Sequence, residues 1–426
     1  MMLLTIHNIA KIKKANIELN GITVIAGENN TGKSTVGKTL YCMFNAFYDF
    51  ADVLKHEKEI EIRYKVLHFL ANSPVSDANT LQLSQTISKE LNHIFPVTLE
   101  NINKIITQFL GDKNLSEELD SNSRDNFVSD LYNVISIDET KLQQKVLTRS
   151  FKDEFHSQIS HTDECNSMCS ASLTIKGKKI NVDFPNNSCI SFSKNIDIVF
   201  EALYYDTPNV LDGLCDEDCY KDDYFLYKSV GHHQHLVKKL AKKTNSPISE
   251  ILNEKKLKEV ILIINDTVKG DFVKNSDHNI YFKEKGSSTP LNLSNLSMGL
   301  KTFAVLKRLI ENGQLEEKGV LILDEPEIHL HPKWQLVFAE ILVLLQKKFD
   351  LNVLLTTHSP YFLEAIEVYS QKHEIQNKCT YYLAELDESD NRFVTIENVG
   401  IDNLERIYQK LADPFKMLER IRDSLH

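Results

Sequence analysis

The residues Gly27-Glu28-Asn29-Asn30-Thr31-Gly32-Lys33-Ser34-Thr35 fit the pattern G-x-x-x-x-G-K-[ST] in full. Such a run suits one kind of chemistry. Its glycines let the backbone curl, so that successive N–H groups from Gly27 through Asn29, Asn30, Thr31 and Gly32 to Thr35 face a phosphate. A helix opening at the end of the run adds its dipole to the attraction for an anion. Lys33 then reaches the terminal phosphates, and the Ser34 hydroxyl suits Mg²⁺. The expected ligand is a nucleoside triphosphate, ATP with Mg²⁺. A second constellation, Val320-Leu321-Ile322-Leu323-Asp324-Glu325-Pro326, ends an apolar stretch in two adjacent carboxylates. Asp324 is expected to help hold Mg²⁺ through water, and Glu325 to polarise the attacking water as general base.

Two more segments gain meaning by resemblance. Asn295-Leu296-Ser297-Met298-Gly299-Leu300-Lys301 precedes an apolar helical pattern through Phe303, Val305, Leu306 and Leu309. It resembles the ABC signature in the SMC/RecF-like form L-S-x-G-x-K. That resemblance implies that Ser297 and Gly299 meet the γ-phosphate held by another copy of the chain, hence a homo-oligomer that is at least an ATP-sandwiched dimer. Read from residue type alone, Ser297 is a helix N-cap. Leu354-Leu355-Thr356-Thr357-His358-Ser359-Pro360 puts His358 at the end of another apolar run. It is similar to the switch histidine of ABC ATPases, which implies γ-phosphate sensing beside Glu325.

The stretch Asp324-Glu325-Pro326-Glu327-Ile328-His329-Leu330-His331-Pro332, an E-x-H-L-H-P form, resembles the OLD-type and RecF-like ATPases of bacteria and phages. The resemblance covers about residues 1–45 and 290–365. Its Q-loop has no assigned position, the Asp206-Thr207-Pro208 corner being a candidate for a loop near the site. OLD proteins carry a C-terminal Toprim nuclease domain, and too few residues follow His358 to build one. The chain also lacks an H-N-H pattern. It therefore resembles the nuclease-free ATPases of this group, such as those of Septu or retron-associated phage defence. That implies an ATPase without its own nuclease site, acting on a separate nuclease subunit, with an HNH type favoured. A RecF-like DNA-repair or DNA-binding ATPase is the alternative.

These residues need elements to position them. Gly21 to Gly27 reads as a short buried strand entering the phosphate loop, and Val320 to Asp324 and Val353 to Thr357 read as two more, since short continuous apolar runs mark parallel strands covered on both faces. Between the last two, Pro332 opens a helix with Trp334, Val337, Phe338, Ile341, Leu344 and Leu345 on its apolar side. The fold class expected is α/β: a P-loop ABC-type ATPase core with a parallel central sheet, split by a long, mainly helical insertion. Residues 1–45 and 286–400 would form the core, with 190–210 a further contributor. Residues 46–285 would form the insertion, with a β-hairpin near 172–185. Residues 401–426 would form one C-terminal amphipathic helix, with Leu404, Ile407, Leu411, Phe415, Leu418 and Ile421 at helical spacing.

Composition sets the outer bounds. Hydrophobic residues make up 42% of 426, enough for a core without disulfides. The net charge of −11 disfavours global steering toward DNA or anionic membranes, so DNA contact would need a local patch. The zone of Lys238, Lys239, Lys242, Lys243, Lys255, Lys256 and Lys258 is the candidate for one. No run reaches the length of a membrane span, the N-terminus lacks a signal-peptide pattern, and seven cysteines, an odd number, suit reduced thiols; together these place the chain in the cytoplasm, with no membrane partner. Cys165/Cys169 and Cys215/Cys219, with His156 and His161 near by, could be read as zinc ligands but fit ordinary thiols better. His232-His233-x-His235 reads as a solvated helix start in preference to a metal cluster.

Overall fold

The computed structural model describes residues 2–425, leaving out 73–79, 112–120, 162–167, 190, 216–230, 243–246 and 275–279. The described chain divides into two compact units: a larger one from residues up to Tyr48 and from Thr148 on, and a smaller one from Asp49–Leu147.

The larger unit is built on strands β1 (Met2–Ile9), β2 (Ile12–Leu19), β3 (Ile22–Gly27), β4 (Cys169–Ile175), β5 (Lys178–Phe184), β6 (Ser191–Lys194) and β7 (Ala202–Tyr205). After a separate antiparallel sheet of β8 (Gly270–Lys274), β9 (Ile280–Glu284) and β10 (Leu291–Asn292) come β11 (Val320–Asp324), β12 (Asn352–Thr357), β13 (Cys379–Leu386) and β14 (Val394–Asn398). The main sheet has the order β6-β5-β4-β1-β2-β14-β13-β3-β12-β11-β7. The fold is thus α/β with a large mixed sheet. Neighbouring strands from β13 through β3, β12 and β11 to β7 run parallel. The half from β2 through β1, β4 and β5 to β6 is antiparallel.

Side-chain pattern explains the split. All six residues of β3 are buried, and so are the first four of β11, as strands covered on both faces require. In β1 and β2 burial alternates, which suits an antiparallel layer with one covered face. Helices Met298–Glu311, Pro332–Phe349 and Pro360–Lys372 bring Phe303, Phe338 and Phe362 onto Leu321, Leu323, Val353 and Leu355. The opposite face receives helix Lys33–Asn45, which comes close through Gly37: a Cβ there would lie 3.1 Å from Ile322 Cγ2 and 3.2 Å from the Tyr204 hydroxyl.

The smaller unit packs helices Phe50–Ala71, Thr80–Asn92, Leu99–Gly111 and Ser121–Ile135 around Ile62, Val66, Leu91, Ile102, Ile106 and Leu131. The Phe69 and Phe127 rings stack at 3.9 Å.

Here the structure departs from the expected single insertion over 46–285. Only Asp49–Leu147 stands apart; the rest of that span builds the larger unit. The hairpin near 172–185 is β4–β5, turning on two positive-φ residues, Lys176 at 49° and Gly177 at 81°. Its inward residues Ala171, Leu173, Ile180, Val182 and Phe184 are fully buried, and β4 pairs with β1, so it could not remain in a helical module. Within 190–210, β7 is an edge strand beside β11. Helices His232–Ala241 and Pro247–Val268 supply Leu236, Leu240, Val260 and Ile264 to the main core. The expected single tail helix is two, Leu404–Leu411 and Asp413–Ser424, because Pro414 fits only the first turn of a helix. Leu404 and Ile407 are buried, whereas Phe415, Leu418 and Ile421 are exposed.

His232 and His235 are not solvated as expected. His235 is buried and bonds Glu201 Oε1 at 2.9 Å, while Lys239 pairs with the other oxygen. Lys256 faces Glu317 at 3.7 Å. Two lysines of the basic zone are therefore already matched, and Lys243 lies outside the described residues. Cys169 is buried and forms no disulfide. Cys165 and Cys219 lie outside the described residues, as does the side chain of Cys215. Among the described residues no group of three His, Cys, Asp or Glu side chains could hold a metal ion, and no described helix is long and apolar enough to cross a membrane.

Burial alone would push the Glu201 carboxyl up, but the hydrogen bond and charge from His235 and the Lys239 ammonium more than reverse this and hold it at about 2. A carboxylate depressed in the folded state adds stability that is present above its unfolded value and lost as pH falls toward the folded one. Glu201→Gln should therefore cost ~2–3 kcal/mol near neutral pH. The difference should vanish as pH drops from about 4.5 to about 2, as read by denaturant melts at a series of pH values.

Candidate nucleotide site

The parallel strands deliver their C-terminal ends to one edge, where open α/β sheets bind ligands. Asn29 through Thr35 line a cleft of 680 Å³ together with Lys11, Asp206, Asp324 and Glu325. The loop leaves β3 at Gly27, where a Cβ would lie 2.3 Å from the Ala384 carbonyl oxygen of β13. Asn30 (φ 66°) and Gly32 (φ 76°) turn it through the left-handed region into helix Lys33–Asn45. No side chain caps that helix, which leaves its first N–H groups for an incoming anion. The cradle and the donor set fit a Mg²⁺-bound triphosphate: Ser34 is an exposed hydroxyl at the helix start, and Asp324 is a carboxylate lining the same cleft.

Lys33 is 4% exposed, so its ammonium must be matched. It donates to the Gly27 carbonyl at 3.0 Å and the Glu28 carbonyl at 2.7 Å, and lies 3.2 Å from Glu325 Oε1. The other Glu325 oxygen is 3.4 Å from His358 Nδ1. The His358 hydrogen bond and the Lys33 charge hold the Glu325 carboxyl at about 2, against the opposing effect of burial. The same Glu325 contact raises His358 above its ordinary value. Glu325 is thus fully ionised and a weak base while Lys33 remains on it. Its φ of 48° aims the side chain off the strand end, and its N–H bonds the Thr356 carbonyl at 3.2 Å.

Sequence reasoning missed the groups that fix these residues. Asp324 accepts from the Thr356 hydroxyl and, at 3.1 Å, from the Tyr204 hydroxyl. Tyr204 also reaches the Ser34 carbonyl at 3.4 Å, tying the phosphate-loop helix to β11. Glu327 accepts from the Thr357 hydroxyl and, at 3.3 Å, from the His358 N–H, so it positions the strand end that carries His358. Burial pushes the Glu327 carboxyl up, with the Thr357 bond opposing, and its Oε2 is buried without a partner. The only sequence hint was the placing of Thr356, Thr357 and Glu327 next to residues already singled out.

Neither Ser297 nor Gly299 lines this cleft. Ser297 caps its own helix, accepting from the Leu300 N–H at 3.4 Å. Gly299 lets that helix press on the E-x-H-L-H-P segment: a Cβ would lie 2.9 Å from the His329 carbonyl oxygen and 3.1 Å from the Trp334 ring.

The sequence matches the AAA ATPase domain family over residues 1–363. The chain belongs to that family. This ATPase is 31% identical over 118 residues to a protein named Retron Vc95 probable ATPase from Vibrio cholerae serotype O1 biovar El Tor, an alignment covering 25% of this chain and 22% of the relative. It is 31% identical over 108 residues to an OLD nuclease from Thermus scotoductus, covering 23% and 20%. The alignments thus span about a fifth of the length of these curated relatives. Among solved structures, the SMC head domain from Thermotoga maritima aligns with a TM-score of 0.38 and 12% identity, covering 94% of this chain and all of that one. An SMC head bound to the C-winged helix domain of ScpA aligns with a TM-score of 0.43 and 8% identity, covering 95% and 98%.

The orphaned oxygen of Glu327 suits a neutral acid, for which glutamine is an isostere. Glu327→Gln should keep ATP turnover within about twofold of wild type. Glu327→Ala removes the acceptor of the Thr357 hydroxyl and the His358 N–H and should lower turnover by about tenfold, roughly 1.4 kcal/mol. Steady-state phosphate release checks both.

Proposed function

We propose that this ATPase is a switch subunit that closes on ATP as a sandwiched homodimer, opens on hydrolysis, and regulates a separate nuclease in bacterial anti-phage defence. The observation that carries the reading is the chain Lys33–Glu325–His358 in the phosphate cleft. With ATP bound, Lys33 is drawn to the β- and γ-phosphates and releases Glu325, whose basicity rises as the cation leaves. Glu325 then takes a proton from the water that attacks the γ-phosphorus as the bond to ADP breaks, and His358 keeps the carboxylate aimed. Mg²⁺ would be held by Ser34 and Asp324 and would supply charge neutralisation at the phosphates.

Ser297 and Gly299 act on the phosphates of a second copy in this reading. Their absence from the cleft lining of their own chain is consistent with it, as is the exposed Met298 between them. The defence assignment rests on likeness to the retron ATPase and the OLD nuclease, and the HNH-type partner on the resemblance to the ATPases of Septu or retron-associated phage defence. The same reading places the protein in the cytoplasm. DNA contact through the lysine zone is the weaker part, since Lys239 and Lys256 already face carboxylates.

Glu325→Gln should keep ATP binding and stop hydrolysis, trapping the closed form. Light scattering should then give about twice the protomer mass with ATP and the protomer mass without. A Gln variant whose mass ignores ATP, while the wild type hydrolyses it, overturns the role of Ser297 in trans.

A further inference from the structure

One cluster beside the cleft plays no part in the mechanism above. Tyr204 lies in β7 and Asp206 just past its end, and both meet the His232 ring. Tyr204 reaches Asp324. Asp206 lines the cleft, and its Oδ2 is 2.8 Å from His232 Nε2. The other ring nitrogen, Nδ1, is 2.6 Å from Glu154 Oε1, and the His232 N–H donates to Glu154 Oε2 at 3.1 Å. The His232 ring is stacked on Tyr204 at 4.3 Å and meets Tyr41 edge-on at 6.1 Å. Glu154 is 1% exposed, whereas Asp206 is 37% exposed.

The chemistry of this chain is specific. An imidazole with a carboxylate on each nitrogen donates from both and is a cation. Burial works against that charge, but the two carboxylates prevail and hold His232 at about 9. The same His232 bond keeps Asp206 ionised in spite of its burial. A third carboxylate, beside Asp324 and Glu325, repels a triphosphate unless it faces the metal and its water. A helix anchor for His232 would need only the buried Glu154; it would not need an acid presented to the cleft.

We propose that His232 and Glu154 are positioning residues of the nucleotide site, which hold Asp206 toward the hydrated metal of the bound triphosphate. The inference rests on the ATP-binding reading above. Asp206 supplies the acceptor, His232 fixes its direction, and Glu154 fixes the ring. Nothing in the arrangement requires His232 to give up a proton.

The test is a double-mutant cycle read by titration with a fluorescent ATP analogue, in Mg²⁺ and again in EDTA, with phosphate release alongside. Asp206→Asn should lose about tenfold in affinity in Mg²⁺ and nothing in EDTA. His232→Gln should show the same metal-dependent loss, and Glu154→Gln a smaller one. The Asp206→Asn/His232→Gln double variant should be no worse than Asp206→Asn, because the histidine acts through the aspartate. Losses that multiply in the double variant overturn the proposal, as does Asp206→Asn with wild-type affinity in Mg²⁺, a result independent of how well the His232 variants fold. Failure of the underlying reading looks different: wild type would then bind the analogue no better than Lys33→Ala in either condition.

Discussion

A buried ammonium is the constraint on which the site depends. Lys33 is nearly solvent-free, and a cation there is tolerable only with acceptors around it. Two of them, the carbonyls of Gly27 and Glu28, come from its own loop. The third is Glu325, from a strand two places along the sheet. The loop therefore closes on the catalytic edge of β11, and β12 must lie between the two at a fixed register. In the proposed mechanism, substrate phosphates would supply the same negative charge that the resting protein supplies with Glu325. The exchange of one anion for the other would then turn a weak base into a usable one.

The parallel half of the sheet would keep such an exchange local. β3 ends in the loop, β12 ends at His358, β11 at Asp324 and Glu325, and β7 just before Asp206. Parallel pairing puts all four ends at one edge, and in-register hydrogen bonds hold them there. Glycine sets the clearance at two points. Gly27 passes under the Ala384 carbonyl, and Gly37 lets the phosphate-loop helix sit on Ile322 and Tyr204. A methyl group at Gly27 would overlap backbone, which cannot move as a side-chain tip can.

How far all this was legible in the sequence follows from the range of each interaction. Gly27 to Thr35 and Val320 to Glu325 could be read because phosphate binding and strand burial act over a few consecutive residues. The hairpin at 172–185 was visible from its alternation around Lys176-Gly177, yet its membership of the main sheet was not, since pairing with β1 joins residues some 170 positions apart. His232 was misread for the same reason. Next to His233 and a lysine-rich helix it looks like a solvated start, and only the fold brings Glu154 and Asp206 to its two nitrogens. Tyr204 gave no signal at all, because a tyrosine in an apolar run is ordinary core until Asp324 is found at its hydroxyl.

The same distinction bears on how the cleft and Ser297 can act together. Glu327 binds the end of β12 through Thr357 and His358, and the backbone carbonyls of Glu327 and Leu330 take hydrogen bonds from Gln335. Gln335 in turn accepts from Ser359, the N-cap of helix Pro360–Lys372. Two residues on from Glu327, the His329 carbonyl lies against Gly299, and Trp334 meets Phe303 edge-on at 5.6 Å. Close-packed groups of this kind transmit displacement in place of absorbing it. In the proposed mechanism, a shift of Glu325 or His358 on release of Lys33 would have this contiguous set of contacts through which to reach the N-terminus of helix Met298–Glu311. The E-x-H-L-H-P segment would then be the link between the carboxylate proposed to do the hydrolysis and the serine proposed to meet a second copy.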